Sequence, residues 1–344
     1  MKISSALTKS IIVICICIVI FLISDTAEFY IWQYKIRNSP HEGYTGKKLL
    51  PPHPFVSFRK IKTFDEEYKE TDTKGYLSDK NYLIDSPETT FRRPITEINN
   101  KILKGKPIVI FGCSYSWGYN LKENSTFGYK LAELTGSPIY NRSLPRWGVQ
   151  QMLYQTKRED FYQKIPEPKY AVYVFIGSHL GRMLKYSFCY PYYDFAYLKY
   201  DKKDNMLTRE KLNFNRIYFQ SEWDLRSLYT RHLYKDEDYI FDMFKLHVLE
   251  AKNELQKHWK NTKFVMIMYE DTDPWFSSHA WIFDSPRLKE LQDEGIIIIK
   301  TDDLTNEIKK HPDKYFISKK DHHPSGKAWE LLTPLIFERL KKGN

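Results

Sequence analysis

Cysteine is scarce in this chain, and the scarcity excludes a fold held by disulfides. Only four cysteines occur in 344 residues. Cys15 and Cys17 lie inside an apolar segment, which leaves Cys113 and Cys189, too few for a disulfide framework. A Cys113–Cys189 bridge is conceivable outside the cytoplasm, but its spacing matches no stapled scaffold. Metal-ligand spacing is missing as well. His311, His322 and His323 are close in sequence, yet adjacent histidines on a turn seldom converge on one ion, so the expected site has no metal and no cofactor. Acidic charge is in deficit: Lys+Arg number 53 against 43 Asp+Glu, a formal net charge of +10. The lysines are scattered instead of forming a stripe, and no nucleic-acid motif accompanies them. Nucleic acid is therefore not an expected partner, and the balance points to anionic lipid or anionic polysaccharide.

Acids are also absent from Met1 to Ser10, which carries Lys2 and Lys9 ahead of an apolar run from Ile11 to Ile23. A small-x-small cleavage site is lacking after it, because Asp25 stands where a small residue is wanted. Extension through Phe29 to Trp32 completes a crossing with an aromatic interface anchor. Residues 1–32 thus read as a retained signal-anchor, with the lysines inside and the body of a single-pass protein on the extracytoplasmic side. Residues 33–105 read as an extension. Pro40, the Pro51-Pro52-His53-Pro54 cluster and the charged Asp65-Glu66-Glu67 run interrupt any long period, while Phe55-Val56-Ser57-Phe58 and Gly75-Tyr76-Leu77 suggest short strands. The expected result is a linker with a small β-rich cap that spaces the body from the membrane.

What the sequence has in quantity is apolar pattern. With 42% hydrophobic and 28% charged residues, the chain can bury one large core. From residue 106, buried strands are expected at 108–111, 138–140, 170–176, 264–269 and 296–299, and helices at 122–134, 149–162, 241–259 and 326–340. The alternation predicts an α/β domain over 106–344, a three-layer α/β/α (flavodoxin-like) sandwich on a central, mostly parallel five-stranded sheet. Residues 183–235 interrupt it with many tyrosines and phenylalanines, as in Tyr190-Pro191-Tyr192-Tyr193. This stretch reads as an insertion that packs its own rings; an aromatic wall for a sugar ring or acyl chain is the alternative.

Two short stretches carry chemistry. Pro107 to Gly118 reads PIVIFGCSYSWG, an apolar strand that stops in small residues with Ser114 just past its end. The carboxyl ends of strands in an open α/β sheet form the ligand crevice, so a nucleophile there is well placed. Alternatively, Ser114 only caps a turn. Near the other terminus, Asp321-His322-His323-Pro324 opens the closing helix and supplies a base and an orienter for a serine. The alternative is a helix start whose histidines merely pack.

Together the stretches resemble the SGNH or GDSL-like hydrolases. The early G-x-S-x-S/T-x-G element of that superfamily is matched by Gly112, Ser114, Ser116 and Gly118, and its late D-x-H-P element by Asp321, His323 and Pro324. The run Asn141-Arg142-Ser143-Leu144-Pro145-Arg146-Trp147-Gly148 is similar to its second element. The resemblance implies Ser114 as nucleophile, His323 as base and Asp321 as orienter, with an oxyanion hole from the N–H groups of Ser114 and Gly148. Two positions depart from the pattern: His179 stands where an asparagine is usual, and Cys113 replaces the aspartate before the serine. His179 is then a third oxyanion donor if its tautomer allows. Asp302 or Asp303 is the substitute should Asp321 point away. The implied activity is esterase action on an acyl, above all acetyl, ester of an envelope carbohydrate or lipid. O-acyl transfer uses the same machinery, and a non-catalytic glycan-binding or assembly protein on the same fold is the third reading.

Overall fold

The run Ile108-Val109-Ile110-Phe111 is apolar at every position and buried at every position, as a strand covered on both faces must be. It forms β1 (Ile108–Phe111) in a computed structural model that describes residues 62–63, 91–145, 147–183, 193–194, 198–201, 206–209, 236–270, 279–318 and 321–342. The expected anchor at 1–32, most of the extension and the side chains of the aromatic insertion lie outside the described residues. Cys189 does too. Among the described residues, no helix is long and apolar enough to cross a membrane.

Four further strands complete the sheet: β2 (Ile139–Asn141), β3 (Tyr170–Phe175), β4 (Lys263–Met268) and β5 (Ile297–Lys300). All pairings among the five are parallel, in the order β5-β4-β3-β1-β2. The chain leaves β1 toward one edge to make β2, then crosses to its other side for β3. That reversal opens a crevice at the carboxyl ends of β1 and β3, where ligands of doubly wound folds bind.

Alternation along the strands splits the core in two. Val109, Phe111, Tyr173, Phe175, Phe264 and Met266 face one side, where they bury side chains of α3 (Val149–Thr156), α4 (Glu159–Lys164), α5 (Ser178–Met183), α6 (Glu237–His258) and α7 (Leu288–Asp293). Ile108, Ile110, Val172, Val174, Val265 and Ile267 face the other, against α2 (Phe127–Thr135) and α8 (Gly326–Lys342). The three-layer sandwich expected from the sequence is present.

Capping residues explain where the helices depart from apolar spacing. The expected helix over 122–134 breaks because the Thr126 side chain accepts from the Tyr129 N–H at 3.2 Å, starting α2 afresh after a 3₁₀ turn at Glu123–Ser125. The expected helix over 149–162 is two, α3 and α4, separated at Lys157 and Arg158. α6 starts four residues earlier than its apolar face suggests, since Asp236 accepts from the Tyr239 N–H at 2.9 Å.

Phe91, Arg92 and Ile95, in the stretch read from sequence as extension, are buried in this body. Ile95 pairs with Ile139 at the sheet edge, Phe91 meets Trp147 edge-on at 5.5 Å, and Phe91 is 1% exposed.

Candidate active site

β1 ends at Phe111, and the next residue must turn sharply. Gly112 has φ +147°, and a Cβ there would lie 2.9 Å from the Val174 carbonyl oxygen, so only glycine fits. The turn delivers Ser114 as the first residue of α1 (Ser114–Trp117), which Gly118 closes in the left-handed conformation. Ser116 and Asn141 bind this turn to the end of β2. The Ser116 hydroxyl donates to Ser143 Oγ at 2.8 Å, and the Asn141 amide donates to the Ser116 carbonyl at 2.7 Å.

The late element meets it from α8. Before that helix, the Ile317 N–H donates to the His323 carbonyl at 3.0 Å and the Ser318 N–H to the Asp321 carbonyl at 3.1 Å, closing a tight loop. Asp321 Oδ1 accepts twice from His323, from its backbone N–H at 3.0 Å and from ring Nδ1 at 2.5 Å. The first bond is an Asx-type turn, which is why one intervening residue suffices to aim the carboxylate at the ring. With Nδ1–H donating to Asp321, His323 Nε2 is free to accept, and it lies 2.7 Å from Ser114 Oγ. Serine and histidine, 209 positions apart in sequence, are thus within proton-transfer reach. Ser114 is 8% exposed, and the His323 side chain 28%.

Several residues that sequence reasoning passed over hold this arrangement. The His323 ring packs against Tyr115 and Tyr119, with ring centroids at 5.0 and 4.9 Å, and the Tyr115 hydroxyl donates to the His322 carbonyl at 3.3 Å. Asn120 donates to the second oxygen of Asp321 at 3.2 Å. Arg92 pins the loop that carries Asn120: its guanidinium donates to the carbonyls of Trp117, Gly118 and Leu121 and pairs with Glu123 at 3.0 Å. Tyr115 and Tyr119 were findable, since they sit within and beside the serine element. Nothing local marks Asn120, and Arg92 lies in the stretch read as extension.

The remaining expected residues divide. Asp302 pairs with Lys309 and Asp303 lies 4.0 Å from Lys300, so the carboxylate on His323 is that of Asp321. His322 stacks on Phe316 at 5.4 Å; of the two neighbouring histidines, His323 is the one bonded to Ser114. Cys113 is a buried free thiol. Gly148 does not present a free donor. Its N–H donates to the Gln151 side chain at 2.8 Å, because a helix start leaves N–H groups to satisfy and the glutamine at the third helical position reaches back to do so. His179 is fully buried, its Nδ1 lies 2.6 Å from the Tyr173 hydroxyl, and its Nε2 has no hydrogen-bond partner. Burial, and secondarily the Arg182 charge, holds its pKa well below the usual histidine value. Among the described residues, no group of three or more His, Cys, Asp or Glu side chains could hold a metal ion.

No protein-family model and no curated protein matches the chain. Solved structures that it is similar to include a member of the lipolytic protein G-D-S-L family from Veillonella parvula, at 12% identity and TM-score 0.40, covering 67% of this chain and 96% of that one. An acetyl xylan esterase from the rumen bacterium Butyrivibrio proteoclasticus aligns at 12% identity and TM-score 0.38, over 72% of this chain and 67% of that one. A carbohydrate esterase family 2 enzyme with a carbohydrate-binding domain, from Corynascus thermopiles, aligns at 13% identity and TM-score 0.36, over 71% and 69%.

Proposed function

We propose that this chain is a serine ester hydrolase of SGNH type. The observation that carries the reading is the continuous hydrogen-bonded path from Ser114 Oγ through His323 to Asp321. A serine hydroxyl is a weak nucleophile at its own pKa and needs a base within reach. In this reading Ser114 Oγ attacks the ester carbonyl carbon while His323 Nε2 takes its proton. Asp321 fixes the imidazole tautomer and stabilises the imidazolium. The tetrahedral intermediate collapses as His323 returns the proton to the departing alcohol, and water then repeats the cycle to release the acid. If a sugar hydroxyl replaces water, the same residues transfer the acyl group.

The substrate in this reading is an acyl ester, above all an acetyl ester, of an envelope glycan or lipid. The lysine-flanked apolar run at 1–32 supports anchoring with the body outside the cytoplasm. A serine-reactive fluorophosphonate tests the chemistry. It is expected to label the protein at Ser114, and Ser114→Ala is expected to lose both label and acetyl-ester turnover; wild-type turnover by that variant sinks the reading. For the topology, a reporter fused after Trp32 is expected to be active only outside the cytoplasm, and activity confined to the cytoplasm overturns the anchor.

A further inference from the structure

Tyr173 lies in β3, paired in register with Phe111 at the end of β1. The strand ends two residues later, and a turn through Gly177 starts α5, whose second residue is His179. This fold-back stacks the two rings, with centroids 5.5 Å apart and planes at 26°, and sets the Tyr173 hydroxyl 2.6 Å from His179 Nδ1. Phe175 closes the imidazole edge-on at 5.7 Å, and both bonded residues are 0% exposed. The ring also rests on Gly148: a Cβ there would sit 3.7 Å from His179 Cγ. The imidazole therefore stands at the carboxyl end of β3, beside the strand that delivers Ser114.

Protonation follows from burial. Removal from water pushes the Tyr173 phenol well above its usual range, with the neighbouring Cys113 adding to the effect, so the oxygen keeps its proton. His179 is kept neutral by burial and by Arg182. A neutral imidazole has one donor and one acceptor nitrogen, so a phenol that donates to Nδ1 leaves the proton on Nε2. His179 Nε2 is buried with no hydrogen-bond partner, so a proton on it is a donor left for an arriving acceptor. We propose that Tyr173 is a positioning residue whose phenol locks His179 as the Nε2–H tautomer, presenting a neutral donor beside Gly148 to the carbonyl oxygen of the acyl group that Ser114 attacks. The assignment rests on the serine-ester reading. It gives His179 a larger share of the oxyanion than an accessory donor has, since the Gly148 N–H is engaged by Gln151.

The test uses the full chain with ¹⁵N-labelled histidine. Long-range ¹H–¹⁵N correlation is expected to show His179 as a single Nε2–H tautomer, and Tyr173→Phe is expected to mix or reverse it. A covalent phosphonate on Ser114 places an anionic oxygen where the carbonyl oxygen develops charge, and is expected to shift the His179 Nε2–H resonance. For acetyl-ester turnover, Tyr173→Phe is expected to lower kcat about tenfold with KM little changed, whereas in a His179→Asn background the same change has almost no effect, because an amide donor needs no tautomer. An Nδ1–H tautomer in the wild type overturns the proposal. So does an unshifted resonance in the adduct, or an equal loss from Tyr173→Phe on both backgrounds. If Ser114 takes no label, the ester reading fails instead, and the tautomer in the free protein still decides what Tyr173 does. If His179→Asn fails to fold, the tautomer and adduct measurements decide alone.

Discussion

At the residue scale the site turns on how one carboxylate is shared. Asp321 gives one oxygen to both donors of His323 and the other to Asn120. A carboxylate held on both oxygens cannot swing off the ring. Asn120 itself sits at φ 59°, a left-handed conformation that asparagine tolerates and glycine adopts freely. Asn120→Gly therefore removes the amide without straining the backbone. A hydrogen bond to a charged group contributes about 1.5–3 kcal/mol, and with His323 still holding Asp321 we expect kcat for an acetyl ester to fall about tenfold at unchanged KM. An unchanged kcat would show that His323 alone fixes the carboxylate. This contact was not legible in the sequence: Asn120 and Asp321 are 201 positions apart, and only folding joins them.

At the element scale α6 contains a polar residue on its apolar face. His247 is 0% exposed among Phe244, Val248 and Ala251, with Nδ1–H donating to the Met243 carbonyl at 2.7 Å. Burial lowers its pKa from 6.5 to about 4, against the Met243 hydrogen bond, which raises it. The unfolded chain binds a proton at this histidine below pH 6.5, whereas the folded chain resists until about pH 4. Stability on its account is complete above pH 6.5 and is lost as pH falls toward 4. The shift corresponds to about 3 kcal/mol. His247→Leu is expected to remove that share of the acid sensitivity, read as urea midpoints between pH 7 and 4. An unchanged slope would assign the acid loss elsewhere, and His279, also lowered to about 4 by burial, is the next candidate.

At the scale of the whole molecule, the boundary of the body moves. The alternating pattern begins at 106, but Phe91 and Ile95 are buried in the body and Arg92 holds three carbonyls of the loop behind the serine. Irregular backbone with one or two buried side chains has no period, so sequence spacing cannot distinguish it from a linker. A chain beginning at Lys106 loses the burial of a phenylalanine and an isoleucine, about 1.5–3 kcal/mol each, and loses the Arg92 guanidinium that donates to those carbonyls. Its Tm is expected to fall by on the order of 10 °C relative to a chain beginning at residue 91, measured calorimetrically. Equal Tm values would make 91–105 dispensable.

The sequence by itself determined the strands and the two chemical elements. A strand buried on both faces must be apolar throughout, as Ile108–Phe111 is, and the turns on either side of Ser114 call for glycine, at Gly112 because a Cβ would meet the Val174 carbonyl oxygen and at Gly118 because its backbone is left-handed. The spacing Asp321-x-His323 left the aim of the carboxylate open between Asp321 and Asp302 or Asp303, and the turn in which Asp321 bonds the His323 N–H two residues on decided it. Tertiary structure alone decided what lies around them. The Gly148 N–H goes to Gln151 because a helix start must satisfy its donors locally, and the Tyr173 hydroxyl meets His179 because β3 ends where α5 folds back. Local pattern encodes which residues are turned inward or bent. Which polar atoms then face one another depends on packing between elements, and that is set only when the chain is closed.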